Sequence, residues 1–218
     1  MSLKDWLWRR SYPVREAATA RRLRRAGTTF VFAGRERPLF VHTYNATWRN
    51  ERAVEIPLAL AALDASPALE VGNVLGHYGR SGHVVVDKYE RAAGVVNVDA
   101  LDFAPAERFA RIVSISTLEH IGFDEDVRDA GKPGRVIAHL RSLLAPGGRL
   151  FVTIPLGYNG AADALFAPEA DAFDDIAYVR RTGELEWAEA GWPEVRDASY
   201  GAPFPFGNAI AVGVARHP

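Results

Sequence analysis

Three carboxylates stand at or beside the ends of three successive apolar runs. Glu70 lies in Ala68–Gly72, Asp87 closes His83–Asp87 and Asp99 closes Gly94–Asp99, while the turn Gly72-Asn73-Val74-Leu75-Gly76 follows the first run directly. Short runs of Val, Ile and Leu without strict alternation are strands covered on both faces, and the carboxyl ends of neighbouring parallel strands open onto one crevice. An acid at the end of the second strand can accept both hydroxyls of an adenosine ribose. Glycines in the preceding turn let the backbone approach a ligand, although tight strand-to-helix turns use glycine with or without one. The other role open to Asp87 and Asp99 is that of a cap or a solvated strand end.

The spacing also bears on which ligand. A dinucleotide calls for G-x-G-x-x-G with its pyrophosphate on a helix N-terminus, whereas this turn runs G-x-x-x-G-x-x-G through Gly79 and carries Glu70 beside it. That acid would repel a phosphate. S-adenosylmethionine carries a sulfonium and an ammonium, which nearby acids favour. After the fourth run, Arg111–Ser116, stands His120, whose imidazole titrates near neutrality and suits proton removal from an acceptor; a structural or cofactor-contact role for it and Glu119 is the alternative. The other histidines show no metal spacing, and no metal is expected. His77 is within reach of the crevice from the glycine turn. Tyr158 and Asn159 sit in a glycine-flanked loop after the fifth run and are candidates for substrate contacts, with ordinary turn chemistry as the alternative. So are Trp48 and Arg52, in the polar and aromatic stretch Tyr44–Glu55, which is placed to act as a lid. Arg49 or Arg52 can pair with a carboxylate there, or simply with Glu51 or Glu55.

These residues need a parallel sheet to bring them together. Five strand-length runs, the fifth being Arg149–Pro155, alternate with polar or helical stretches in the βαβ manner. Val136, Ile137, His139, Leu140, Leu143 and Leu144 recur at helical spacing over Gly134–Leu144, before the stop Ala145-Pro146-Gly147-Gly148. Leu75–Gly82 is too short for a full helix between the first two strands. Upstream, the pattern predicts a basic helix over Pro13–Ala26, a hairpin of Thr28–Phe32 and Pro38–Thr43 turning through Gly34–Arg37, and a helix over Asn50–Leu63. Downstream lie Ile176–Arg180, Glu184–Ala190 and a last strand, Asn208–Ala215. No linker is long enough to separate domains. One structural domain is expected, with an extension over 1–63 packed on a core over 64–218.

With Glu70-Val71-Gly72, Val84-Val85-Val86-Asp87, Val98-Asp99-Ala100 and Ser114 to His120 in order, the chain from about Ala68 to Pro155 resembles the class I S-adenosylmethionine-dependent methyltransferases. The resemblance is to a less-studied bacterial branch of small-molecule enzymes. It implies a Rossmann-like α/β fold with a seven-stranded, mostly parallel sheet, its last strand antiparallel and helices on both faces. It further implies that Glu70, Gly72 and Gly76 hold the methionine part, Asp87 the ribose, and Asp99, Ala100 and Leu101 the adenine, with Asn73 and Ser116 completing the cofactor set. His120 would be the base. The acceptor would be an oxygen or nitrogen of a small metabolite such as a sugar or natural-product intermediate, and S-adenosylhomocysteine the product. Where the family carries a middle glycine, this chain has Val74. A non-catalytic cofactor-binding partner subunit and a nicotinamide-dependent oxidoreductase are the competing expectations.

Composition narrows the classes. The 218 residues, 48% hydrophobic, can fill one sizeable core, and the absence of cysteine excludes disulfide and thiolate chemistry. Net charge is −1 but uneven: through Phe30 there are eight basic and two acidic residues, leaving 18 basic and 25 acidic beyond. An acidic core argues against nucleic acid as a partner. The Arg21 to Arg25 run is able to touch phosphate or an anionic surface, with a solvated helix face as the leading expectation. Met1–Pro13 contains Trp6, Leu7 and Trp8 but no apolar run long enough for a membrane span or signal peptide, so a cytoplasmic protein without membrane partners is expected. The composition is compatible with a homo-oligomer.

Overall fold

The computed structural model describes residues 3–217, with side chains from Val14 onward, so those of Trp6, Leu7 and Trp8 lie outside the described residues. Helix α1 (Leu3–Ala26) leads into strands β1 (Thr29–Phe32) and β2 (Arg35–Pro38), which pair antiparallel with Phe32 opposite Arg35. The hairpin is tighter than the sequence pattern suggested. Ala33 and Gly34 both adopt positive φ, 52° and 69°, so two residues complete the turn and β2 begins at Arg35 instead of Pro38.

Helix α2 (Arg52–Ala62) contains Pro57, which has no N–H to give the carbonyl of Ala53. The backbone N–H of Phe40 takes that place, donating to the Ala53 oxygen at 2.8 Å and tying the chain after the hairpin to the helix.

The other strands are β3 (Ala68–Val71), β4 (Val84–Val86), β5 (Val95–Val96), β6 (Phe109–Ile115), β7 (Leu144–Pro155), β8 (Asp175–Arg181), β9 (Trp187–Ala190) and β10 (Ala209–Arg216). They form one sheet in the order β5-β4-β3-β6-β7-β10-β8-β9. Neighbours from β5 to β7 are parallel, and β10 runs antiparallel between β7 and β8. The Rossmann-like α/β expectation is met, with one correction to the strand count. Glu184–Ala190 supplies β9, an eighth strand antiparallel to β8 at the edge.

Alternate residues of β6 show how the sheet is covered. Val113 and Ile115 pack with Val54 and Ile56 of α2, while Ile112 faces the other way, toward Ile137 and Leu140 of helix α3 (Lys132–Ser142). Helices therefore cover both faces, and α2, grouped with the extension in the sequence pattern, forms one of the two covering layers. The stop Pro146-Gly147-Gly148 is not a turn between elements. It makes an irregularity inside β7, where the register against β6 shifts between Phe109 and Arg111. Short helices α4 (Gly160–Asp163) and α5 (Trp192–Val195) complete the set.

Hydrogen bonds tie the extension to the core: the N–H of Ala33 donates to Glu189 of the edge strand β9 at 2.6 Å, and Arg181 donates to the Arg49 carbonyl at 3.0 Å. Within the extension, Glu16 of α1 pairs with Arg49 at 2.8 Å. Among the described residues no helix is long and apolar enough to cross a membrane, and no cluster of acidic and histidine side chains is placed to hold a metal ion.

Candidate functional site

The chain passes from β3 to one side of the sheet and returns through β6 to the other, and a crevice of about 710 Å³ opens at the carboxyl ends of these strands. Its apolar wall includes Val71, Val86, Val98, Ala100 and Ile121. Its charged lining is one-sided: Asp87, Glu90, Asp99, Asp124 and Glu125 against Lys88 alone.

Gly72 lies at the floor with φ of +86°, and a Cβ there would stand 2.2 Å from the hydroxyl oxygen of Thr117. Only glycine allows this approach. Asp87 combines both roles open to it. Oδ1 accepts from the N–H groups of Tyr89 and Glu90 at 2.8 and 2.7 Å, capping the turn, while Oδ2 has only a longer contact, 3.3 Å, from Asn73 N–H. Asp99 lines the crevice but is heavily engaged: Lys132 at 2.6 Å and Lys88 at 3.0 Å meet one oxygen, and Leu101 N–H donates to the other at 3.1 Å. Burial opposes its ionisation, yet these donors outweigh it and hold Asp99 down to about 2.

Other cofactor candidates lie outside the crevice. Glu70 is fully buried, with Oε1 accepting from Val74 and Leu75 N–H at 2.9 and 2.8 Å and Oε2 bonded to His83 at 2.7 Å. It shapes the loop and presents no oxygen to the crevice. The loop consequently curls into a single 3₁₀ turn, Leu75–Tyr78, preceded by Val74, which has an ordinary φ of −82° and needs no glycine. Gly76 sits inside that turn against the Asn73 side chain, which is bonded to Glu90 at 2.7 Å. The Leu101 amide is occupied by Asp99, and its side chain packs on the core. Ser116, held at φ of +37°, donates its hydroxyl to Glu55 and faces a second pocket.

That second pocket, about 280 Å³, adjoins the crevice and shares His120 with it. The His120 side chain is 47% exposed and its Nδ1 lies 2.5 Å from Asp124. Hydrogen bonds from His120, and to a smaller degree Tyr158, outweigh burial and keep Asp124 below the usual carboxylate range. An ionised carboxylate only accepts, so Nδ1 is the donor in this pair, and Nε2 points to the pocket, 3.7 Å from Glu119 Oε1. Tyr158 also lines the pocket and donates to Asp124 at 2.7 Å; burial and that anion push its phenol up to about 12. Tyr200 meets Tyr158 edge-on at 5.2 Å.

Arg52 lines this pocket and pairs with Glu55 at 3.0 Å. The remaining substrate candidates are elsewhere. Asn159 is buried, donating to the Glu119 carbonyl and capping α4. Trp48 is buried against Ala20 of α1 and holds the extension. His77 stacks on Tyr44 at 4.7 Å and bonds Glu90 in a small adjoining pocket.

Sequence reasoning missed Asp124, Lys132, Glu125, Thr117 and Tyr200. Asp124, four residues past His120, had a local signal in its spacing. The others become partners only through the tertiary fold.

No protein-family model matches the chain, and neither does any curated protein. Solved structures do. The N-methyltransferase NodS of Bradyrhizobium japonicum WM9, in complex with S-adenosyl-L-homocysteine, is 16% identical, covering 75% of this chain and 83% of its own at a TM-score of 0.44. A SAM-dependent methyltransferase of Thermotoga maritima, a possible histamine N-methyltransferase, is 16% identical over 75% and 88%, with a TM-score of 0.45. The glycopeptide N-methyltransferase MtfA is 16% identical over 74% and 88%, at 0.37. These likenesses are distant and say nothing of this chain's substrate.

Proposed function

We propose that this protein is an S-adenosylmethionine-dependent methyltransferase acting on an oxygen or nitrogen of a small metabolite, such as a sugar or natural-product intermediate. The charge of the crevice carries the reading. Lys88 and Lys132 pair with Asp99 and Glu125, and the remaining carboxylates Asp87, Glu90 and Asp124 repel the pyrophosphate of a dinucleotide and attract a sulfonium and an ammonium. No helix N-terminus of useful length follows β3 to receive phosphate, since only the 3₁₀ turn Leu75–Tyr78 stands there.

The residues fit the cofactor. Asp87 Oδ2 would take the ribose, the apolar wall of Val86, Val98, Ala100 and Ile121 would take the adenine, and the backbone at Gly72 admits a close approach. When bound, the cofactor supplies a methyl group already activated by its sulfonium. The protein then has to align the acceptor and hold its proton. His120 would serve both, since it lines crevice and side pocket alike and Asp124 fixes its ring.

Calorimetry with S-adenosylmethionine and with a nicotinamide dinucleotide tests the reading: heat from the dinucleotide alone refutes it. His120→Gln should leave cofactor affinity near wild type while lowering transfer by about two to four powers of ten. Undiminished transfer would remove His120 from the chemistry.

A further inference from the structure

The side pocket contains more acid than its interior satisfies. Glu119, near the start of the turn after β6, is 1% exposed and lines the pocket, yet its Oε2 has no hydrogen-bond partner. Glu51 faces the same space with one oxygen taken by the Gly207 N–H at 2.9 Å. Arg52 interacts with both acids at longer range, but its guanidinium hydrogen-bonds to Glu55, at 3.0 Å, and gives Glu119 Oε2 no donor. A buried carboxylate oxygen without a donor is costly, and such groups are expected to meet a ligand. Around the acids stand Tyr158, Tyr200 and Phe206, the last two still partly exposed. Aromatic faces beside an unpartnered carboxyl oxygen favour a cation.

We propose that the side pocket takes a primary or secondary amine on a compact carrier, with Glu119 as its principal polar contact, and that this amine nitrogen is the atom methylated. The inference rests on the methyltransferase reading and narrows its acceptor. An alcohol brings one O–H and no charge. An ammonium brings several donors for the oxygens of Glu119 and Glu51, and the positive charge that holds Glu119 in its ionised form once it has released its proton.

The balance of the step is simple. The bound ammonium gives one proton to Nε2 of His120, which exposes the nitrogen lone pair. That pair forms the new bond to the methyl carbon, the carbon–sulfur bond breaks, and its electrons return to sulfur as the neutral thioether. The positive charge passes to the methylated nitrogen.

Glu119 also gives the binding step a signature. Burial first, and then the adjacent Glu55 carboxylate, push its pKa well above the ordinary range. The other ionisable groups facing the pocket are Glu51, Arg52, His120, Tyr158 and Tyr200. A cation arriving beside Glu119 favours its ionised form, so amine binding near neutral pH should release a proton from it.

The test is calorimetry on the full chain saturated with S-adenosylhomocysteine, titrated with benzylamine or benzyl alcohol in two buffers of different ionisation enthalpy. Benzylamine is expected to bind at least ten-fold more tightly than the alcohol, with release of up to one proton. Glu119→Gln, which keeps the side-chain shape, should weaken benzylamine at least ten-fold and abolish the proton release, while S-adenosylhomocysteine binds as before. Glu51→Gln provides a second variant, with a smaller loss of amine affinity. No preference for the amine, including binding of neither probe, overturns the proposal, as does unchanged amine binding in both variants. Failure of S-adenosylhomocysteine itself to bind instead breaks the underlying methyltransferase reading.

Discussion

Replacing Gly72 by Ala tests whether the crevice floor is as tight as it looks. The added methyl would lie 2.2 Å from Thr117 Oγ1, 2.8 Å from its Cγ2 and 3.0 Å from its Cβ, at a backbone φ of +86°. A non-glycine residue at positive φ costs about 1–2 kcal/mol, and overpacking of this kind a further 1–3 kcal/mol or so. Rotating Thr117 away offers no free escape, because its hydroxyl donates to the Ile115 carbonyl at 3.0 Å and that bond is worth about 1 kcal/mol. Together these predict a destabilisation of about 3–6 kcal/mol, a large share of the roughly 5–15 kcal/mol of an ordinary domain. Urea denaturation followed by tryptophan fluorescence would measure it. Thr117→Ala removes both closer atoms and leaves only Cβ, so the double variant should recover about 1–3 kcal/mol relative to Gly72→Ala alone. A Gly72→Ala protein within about 0.5 kcal/mol of wild type, or a double variant with no recovery, would refute the described floor.

Two further outcomes are expected. Asp163, inside α4, is raised to about 6 by burial, against the opposing hydrogen bond from Gly157 N–H. Since its folded pKa exceeds the unfolded value of about 3.9, its ionisation costs stability increasingly as pH rises between those values and fully above about 6. Asp163→Asn, which can still accept from Gly157, should therefore stabilise by about 1–2 kcal/mol at pH 8, after allowance for solvent screening, and lose that advantage near pH 4; urea midpoints across this range check it. Lys88→Met leaves Asp99 to Lys132 alone and removes the one cation lining the crevice, so S-adenosylmethionine should bind about two- to ten-fold more tightly by calorimetry, whereas weaker binding would assign Lys88 to the cofactor site.

The features that were legible in the sequence are those set by local pattern. Val-rich runs ending in acids placed Asp87 and Asp99 at the same end of the sheet, and the positive φ of Gly72 follows from a turn that starts immediately after a strand. Glu70 shows where such inference stops. Its position beside the turn was plain, but the N–H groups of Val74 and Leu75 become its partners only once the loop has curled, and His83 arrives from β4's side of the fold. Trp48 likewise has the composition of a binding residue, and only its packing against Ala20 shows that it fastens α1. The strand β9 escaped firm assignment because Trp-Ala-Glu-Ala alternates weakly and pairs on one side only, as an edge strand can. Lys132 was hidden for another reason: a lysine at the start of a helix is ordinarily solvated, and here Asp99 and Glu125 draw it inward.

Pro57 makes the chain ahead of the core something other than a detachable appendage. A helix with an ordinary residue at that position would close its own ladder and be indifferent to what lay beside it. This one exposes the Ala53 carbonyl, on a residue that is itself fully buried, to a donor that must come from Phe40. Cutting the chain between Phe40 and α2 would thus take the donor from that acceptor, on the helix that also carries Arg52 into the side pocket, where Glu55 pairs with it. A shortened protein would inherit the damage at its site, so the boundary for any minimal version lies before the hairpin, not after it.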